Sequence, residues 1–277
     1  MTIVYILAAI LIFGVLIAVH ELGHFLAAKL CGVRVNEFSI GMGPLIWHKE
    51  TEETQYSLRL LPIGGFCAME GEDEESSDER SLGRQGFFKK AVIFAAGSFM
   101  NFLAGFLIIL AVYSGAAGFL IPAAAGTAPE FEQQNGQTLQ AGDIFYEISG
   151  ERVYLYSDVS LLMSLHQGQP MDLVVLRDGE KVELNDITWG TYTGTEGETY
   201  QGYGIYIAGD QVEEANLWTL LKTSWLNTID FVRIVRLSLQ MLVTGQAGMD
   251  DLSGPVGIVS TITQVGTASE TFAAAVE

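Results

Sequence analysis

The residues with chemistry to offer are His20, Glu21 and His24, within His20-Glu21-Leu22-Gly23-His24. Only four histidines occur in 277 residues, and two of them stand here four positions apart. On a helix, positions i and i+4 share a face, so both imidazoles can reach one metal ion. Zinc suits the pair, because neutral imidazole nitrogens bind it well and a catalytic site keeps one position open for water. Glu21 then lies beside the metal, placed to accept a proton from a water whose pKa the metal has lowered. Without a metal, the same pattern is two helix histidines and a surface glutamate.

The element that must position them is apolar. Ile3 to Val19 reads IVYILAAILIFGVLIAV and runs straight into His20, and Phe25-Leu26-Ala27-Ala28 continues it up to Lys29. At about 1.5 Å per residue this is long enough to cross a bilayer, so the motif lies at membrane depth near one end of a span. Ionisable groups are costly there and mark function. A signal peptide would need a basic start and a small-residue cleavage site, whereas Met1-Thr2 brings no charge. Composition agrees with a membrane protein carrying a sizeable soluble part: 49% of residues are hydrophobic and 17% charged. The net charge of −19 makes nucleic acid an unsuitable partner. Cys31 and Cys67 are too few for a disulfide framework and read as reduced thiols.

Residues 1–30 therefore form a first span, and 31–69 a small membrane-associated β-region. Val33 to Ile40 alternates as a strand until Gly41-Met42-Gly43-Pro44, and Thr54 to Leu61 alternates until Pro62-Ile63-Gly64-Gly65-Phe66. Either it covers the end of the span, or its edge holds a substrate in extended form. Residues 70–90, opening EGEDEESSDERSLGR, read as a mobile acidic linker. The second span is 91–113, without a formal charge. In it Gly97, Asn101 and Gly105 put small residues and one amide on neighbouring faces; Asn101 serves either helix packing or support of the site. Eight of the 14 Lys and Arg residues fall between 25 and 90, and only three between 114 and 216. The positive-inside rule then puts 25–90, with the motif, at the cytoplasmic side and 114–216 outside.

Within 114–190, Leu139-Gln140-Ala141-Gly142-Asp143-Ile144 leads through Ile148, Gly150 and Val153 to a helix over 157–166. Two strands then flank Arg177-Asp178-Gly179-Glu180, a hairpin turn. This series resembles a PDZ domain, a fold that binds extended peptides at a sheet edge; a domain without a peptide ligand stays open. Residues 191–216 read as a loop with one strand over 203–207. Lys222, Asp230, Arg233 and Arg236, with Trp218 and Trp225, suit a helix over 217–244 lying at the membrane interface better than a span. In 245–277, Leu252 to Gly257 reads as a turn and Phe272 to Val276 as the start of an apolar helix, connecting to a third span.

Taken together, the chain resembles the site-2 protease family of intramembrane zinc metalloproteases. The shared pieces are H-E-L-G-H, L-P-I-G-G-F at 61–66, a glycine four residues before Asn101, the PDZ-like module and L-S-G-P-V-G-I at 252–258. The nearest branch is the bacterial regulator-of-sigma-E protease type, with one PDZ domain here. The resemblance implies His20 and His24 as zinc ligands, Glu21 as catalytic acid and base, and residues 33–69 as the region that guides substrate. It also implies cleavage of single-span membrane proteins such as anti-sigma factors, in a bacterial plasma membrane, with the PDZ domain extracytoplasmic. The family's third ligand, an aspartate in an L-D-G motif, has no counterpart here. The sequence therefore reads as a C-terminally truncated form, inactive for want of that ligand. The fold class expected is α-helical transmembrane spans plus an extracytoplasmic α+β PDZ domain and the small β-region, with membrane lipid around the spans. Two rival functions are a non-catalytic membrane-anchored PDZ adaptor and, more distantly, a metal transporter.

Overall fold

A computed structural model describes residues 2–194 and 197–245, so the expectations for 246–277 lie outside the described residues. The described residues divide into two compact units, one built on 2–105 with 238–245, the other on 106–194 with 197–237.

In the first unit, α1 (Thr2–Cys31) is followed by β1 (Val35–Glu50), β2 (Gln55–Met69) and α2 (Phe87–Tyr113). Val4–Cys31 and Phe87–Tyr113 are long and apolar enough to cross a membrane. Val4, Leu7, Leu11 and Val15 on α1, and Phe94, Phe99, Ile108 and Val112 on α2, are exposed. A helix in water turns only one apolar stripe to its core and keeps polar residues outside. These helices show apolar side chains outward, which suits lipid.

The β-region differs from two short strands ended by turns. Glycines 41, 43 and 64 have positive φ, and the strands bend at these places and continue, β1 to Glu50 and β2 to Met69. Residues 35–40 pair antiparallel with 65–69, Phe38 opposite Cys67 and Ile40 opposite Gly65. On their other side the same residues meet 55–58 with numbers rising together, Phe38 opposite Tyr56 and Ile40 opposite Leu58. Residues 55–59 also pair with 45–50. The segments thus lie in the order 45–50, 55–59, 35–40, 65–69, and 65–69 is an edge. Arg59 secures the bend: it donates to Glu37 (2.8 Å), to buried Ser39 (3.1 Å) and to the Gly43 carbonyl (3.0 Å).

The acidic stretch after Met69 is not a free linker. The Arg34 N–H donates to Arg80 O (3.0 Å) and the Leu82 N–H to Glu70 O (2.7 Å), while Glu53 receives both Lys29 and Arg80. Leu82 is buried with Ala27, Ala28, Val33, Val35 and Ile93. Composition reported its acidity, but backbone bonds, one leucine and ion pairs such as Arg80–Glu53 do the fastening. Its last residues, 87–90, already belong to α2.

The second unit adds β3 (Gly118–Leu120), β4 (Ala124–Thr127), α3 (Phe131–Asn135), β5 (Ile144–Ile148), β6 (Glu151–Arg152), α4 (Tyr156–Leu165), β7 (Met171–Arg177) and β8 (Glu180–Ile187). Then come β9 (Gly190–Thr193), β10 (Thr199–Gly202), β11 (Ile205–Ile207), β12 (Val212–Glu214) and α5 (Leu217–Thr244). The main sheet runs β6-β5-β7-β8, and β4 pairs with β11, β3 with β12, β9 with β10. Residues 191–216, read as a loop with one strand, therefore contribute strands that close the module. Their alternation is hidden by Gly, Thr and Tyr. The core gathers Phe131, Phe145, Ile148, Val159, Leu162, Leu173, Val175, Ile187 and Tyr192. Asp143, almost wholly buried, takes Arg177 in a fork of two bonds, 2.8 and 2.6 Å. Burial pushes its carboxyl up, but Arg177 and the Gln140 N–H outweigh that and hold it below the usual range.

On α5 the pair Asp230 and Arg233 turns inward, while Lys222 and Arg236 stay exposed and reach carboxylates of the module. Arg233, 7% exposed, meets Asp158 at 2.8 Å and also binds Asp230 and the Arg152 carbonyl. Arg236 pairs with Glu151 and Lys222 with Glu213. The exposed side carries Trp218, Leu221, Trp225, Val232, Val235 and Leu239. The charges that argued for an interface are engaged by the module's own carboxylates; the outward aromatic stripe is what remains of that argument.

Candidate functional site

α1 carries His20, Glu21 and His24 on adjoining faces. His20 and His24, one turn apart, point the same way, and their rings stand edge to face with centroids 4.8 Å apart. The facing residues come from α2 at the same spacing: Ile93, Gly97 and Asn101. His24 Nδ1 donates to the Ile93 carbonyl across 2.7 Å, and Asn101 Nδ2 lies 3.3 Å from His20 Nδ1. Both Nε2 atoms are thereby turned toward each other, 3.2 Å apart.

Gly97 makes the room. A Cβ at this position would lie 2.5 Å from His24 Nε2 and 2.7 Å from His20 Nε2, nearer than a carbon can sit. One turn of contact away, a side chain on Gly23 would strike the Ala96 backbone and Met100. Small residues thus let the two helices approach closely at this level.

Glu21 lies about 100° round α1 from His20 and faces the β-region. A Cβ on Gly65 would be 3.5 Å from Glu21 Cγ and 2.9 Å from the Ser39 carbonyl. Cys67 is close enough that burial, with the Glu21 carboxylate adding to it, pushes the thiol up to about 12. Such a thiol is inert. A cleft of about 350 Å³ runs along α1 and the β-region, lined by Val15, Val19, Leu22, Ile40, Leu58 and Pro62 among others.

The donor set fits a zinc ion. Two Zn–N bonds of roughly 2.0–2.1 Å at a tetrahedral angle set their nitrogens about 3.3 Å apart, close to the separation found. The Ile93 carbonyl can only accept, so His24 must carry its hydrogen on Nδ1 and present an Nε2 lone pair. A histidine ligand with its other nitrogen held by a carbonyl is the usual arrangement. Among the described residues, no third His, Cys, Asp or Glu joins the pair.

His20, Glu21, His24 and Asn101, singled out by sequence, are thus brought to one level of the first unit. Two contributors carried no sequence signal of their own: the Ile93 carbonyl is backbone, and Gly65 acts through the side chain it lacks. Gly97 was already singled out with Asn101, and counting back four more residues would have found Ile93.

A profile of peptidase family M50 matches residues 8–276. A protein of Clostridium perfringens named as a candidate zinc metalloprotease is 36% identical over 258 residues, 92% of this chain and 74% of that one. A similarly named protein of Clostridium acetobutylicum is 34% identical over 254 residues, 92% of this chain and 73% of its own length. The regulator of sigma-W protease RasP of Bacillus subtilis is 25% identical over 347 residues, covering 94% of this chain and 80% of RasP. With zinc as its cofactor, the chain belongs to peptidase family M50, the site-2 protease family of zinc metalloproteases.

Proposed function

We propose that this chain is an intramembrane zinc endopeptidase that cuts single-span membrane proteins, anti-sigma factors among them. The observation that carries the reading is the Nε2 pair of His20 and His24 at 3.2 Å, in space kept open by Gly97 and with Glu21 on the adjoining face. Bound zinc would polarise the scissile carbonyl and the attacking water. Glu21 takes the proton from that water and returns it to the leaving amine. Catalytic zinc takes three protein ligands, of which His20 and His24 are two. A substrate helix must open to expose a peptide bond, and the edge at 65–69, beside Glu21, is placed to hold the opened segment by strand addition. Apolar substrate side chains then have the cleft along α1.

In this reading α1 and α2 span a bacterial plasma membrane, with the motif near the cytoplasmic side. The second unit is a PDZ domain on the outer side, and the Trp218–Trp225 stripe of α5 rests on lipid. The deciding experiment is Glu21→Gln with a single-span substrate. Gln keeps the size of Glu but cannot take the proton, so cleavage should fall by roughly 10²–10⁴ or more while zinc stays bound. Near-normal turnover by this variant would exclude the mechanism.

A further inference from the structure

Most cations of the second unit are matched. Arg177, Lys222, Arg233 and Arg236 each meet a carboxylate. Arg152 does not pair with any carboxylate among the described residues. Its guanidinium lies over the Tyr146 ring, 3.0 Å from the centroid, and its Nη1 is buried without a hydrogen-bond partner. Lys181, also without a carboxylate among the described residues, caps the same ring at 4.0 Å. The ring face attracts both cations but gives the in-plane N–H groups of a guanidinium no acceptor. Burial also pushes the Arg152 guanidinium down from its ordinary value. A half-buried cation left so is costly unless an anion comes to it.

Arg152 stands in the wall of a cavity of about 500 Å³, within the ordinary range of small-molecule sites. The rest of the wall is mostly apolar, with Phe119, Ile121, Pro122, Ile144, Leu155 and Leu226. A peptide added as a strand would need free backbone groups. Here they are taken: Phe145 N–H donates to Pro122 O (2.8 Å), Val153 N–H to Tyr146 O (3.0 Å) and Ile121 N–H to Gln211 O (2.9 Å). An apolar wall with one unmatched guanidinium complements an anionic head carried on an apolar chain. A guanidinium suits phosphate, because its planar fork can give two parallel bonds.

The position of the cavity selects among such molecules. Its wall includes Lys222, Thr223 and Leu226 of α5, the helix that exposes Trp218 and Trp225. The Trp225 ring meets Phe106 of α2, with centroids 6.0 Å apart, and Asn227 donates to the Tyr113 hydroxyl (2.8 Å) at the end of α2. One wall of the cavity is therefore a helix packed against a helix long and apolar enough to cross a membrane.

We propose that this cavity binds a phospholipid of net negative charge, with its phosphate on Arg152 and the start of an acyl chain among Phe119, Ile121 and Leu226. The proposal rests on the reading of α2 as a membrane span. Bound in this way, the second unit is held on an anionic bilayer by a specific headgroup as well as by its aromatic stripe.

The test uses the purified full chain in neutral detergent, with dihexanoyl phosphatidylglycerol as probe. Dihexanoyl phosphatidylcholine and glycerol phosphate are the comparisons, and binding is read from the rise in thermal midpoint with dose. Phosphatidylglycerol should bind saturably and at least about tenfold more tightly than either. Phosphatidylcholine lacks the net charge, and glycerol phosphate lacks the chain. Arg152→Met should weaken phosphatidylglycerol binding by about 10–100-fold, the range for losing a charge-assisted bond, and abolish the preference over phosphatidylcholine. Arg152→Lys, which keeps the charge without the fork, should keep the preference at lower affinity, and it decides the matter if the Met variant does not fold. Wild-type affinity in Arg152→Met would overturn the proposal. So would equal binding of the two lipids by the wild type or by Arg152→Lys, or Arg152-dependent binding of an apolar peptide with a free carboxyl terminus in place of lipid. Each of these leaves α2 as a membrane span. Release of the chain from membranes by alkaline carbonate would overturn the span, and this proposal with it.

Discussion

Gly97→Ala should disarm the site through a single methyl group. The added Cβ would be 2.5 Å from His24 Nε2 and 2.7 Å from His20 Nε2. Ordinary contact begins near 3.4 Å, so the rings must retreat by about 0.9 Å and 0.7 Å, the differences from 3.4, or α2 must withdraw. Helix withdrawal is opposed by the Gly23–Ala96 contact, and overpacking of this kind costs about 1–3 kcal/mol. Movement of the rings breaks the 2.7 Å bond to Ile93 or spoils the 3.2 Å spacing. Loss of a ligand's supporting bond lowers metal affinity by about 10–100-fold, and misplacement near 1 Å costs roughly 10² in rate. Zinc affinity by chelator competition and cleavage of a single-span substrate should therefore both fall by those factors. Gly105→Ala on the same helix is the control: among the described residues nothing lies within 4 Å of its Cβ, so binding and cleavage should be unchanged. Wild-type zinc affinity in Gly97→Ala would refute the argument that this glycine keeps the ligand space open.

Further outcomes can be stated for both units. In a background with Cys31→Ser and Cys67→Ala, cysteines introduced by Ser76→Cys and Thr193→Cys should label from opposite sides of intact cells, Thr193→Cys from outside; labelling from one side would overturn the orientation drawn from charge. Arg233→Met should destabilise the second unit by about 3–5 kcal/mol in thermal or denaturant unfolding, because it strands Asp158 and Asp230, both buried, without their cation. Burial first, and Asp158 second, raise the Asp230 carboxyl above its ordinary value. Its contribution is complete below the unfolded carboxylate pKa of about 3.9 and is lost as pH rises through the folded value. Asp230→Asn should remove that loss, so the difference in thermal midpoint between wild type and variant should grow in the variant's favour across that rise; a difference independent of pH would contradict the assignment.

What the sequence made legible is what side-chain chemistry and period can carry. His20-Glu21-Leu22-Gly23-His24 was readable because three rare functional groups sit at one helical spacing in an apolar run. The bends at Gly41 and Gly64 were visible, but reading them as strand ends missed that positive-φ glycines let a strand turn and continue. The stretch 70–86 was misread because its partners are distant in sequence, backbone to backbone in Arg34 to Arg80 and side chain to side chain in Arg80 to Glu53, and backbone groups are the same at every position. The closing strands of 191–216 were masked by glycine and threonine, and the inward charges of α5 by the absence of any local sign that Asp158 waits for Arg233. Non-local pairing is the common cause.

The same division runs through the candidate site. Its reactive groups lie within five residues of α1, while the features that tune them come from elsewhere in the first unit: an Ile93 carbonyl, an absent side chain at Gly97, an amide at Asn101 and an absent side chain at Gly65. Each of these acts on a different property. Ile93 fixes which nitrogen of His24 is free, Gly97 the space beside the two rings, Asn101 the hold on His20 at Nδ1, and Gly65 the approach of the sheet edge to Glu21. A site at membrane depth has no bulk water to orient an imidazole or to fill a gap, so such properties must be set by fixed protein groups. Substituting any one of them should therefore leave the motif chemically complete and still disable it, each by its own measurable step: ligand orientation, metal fit or substrate approach.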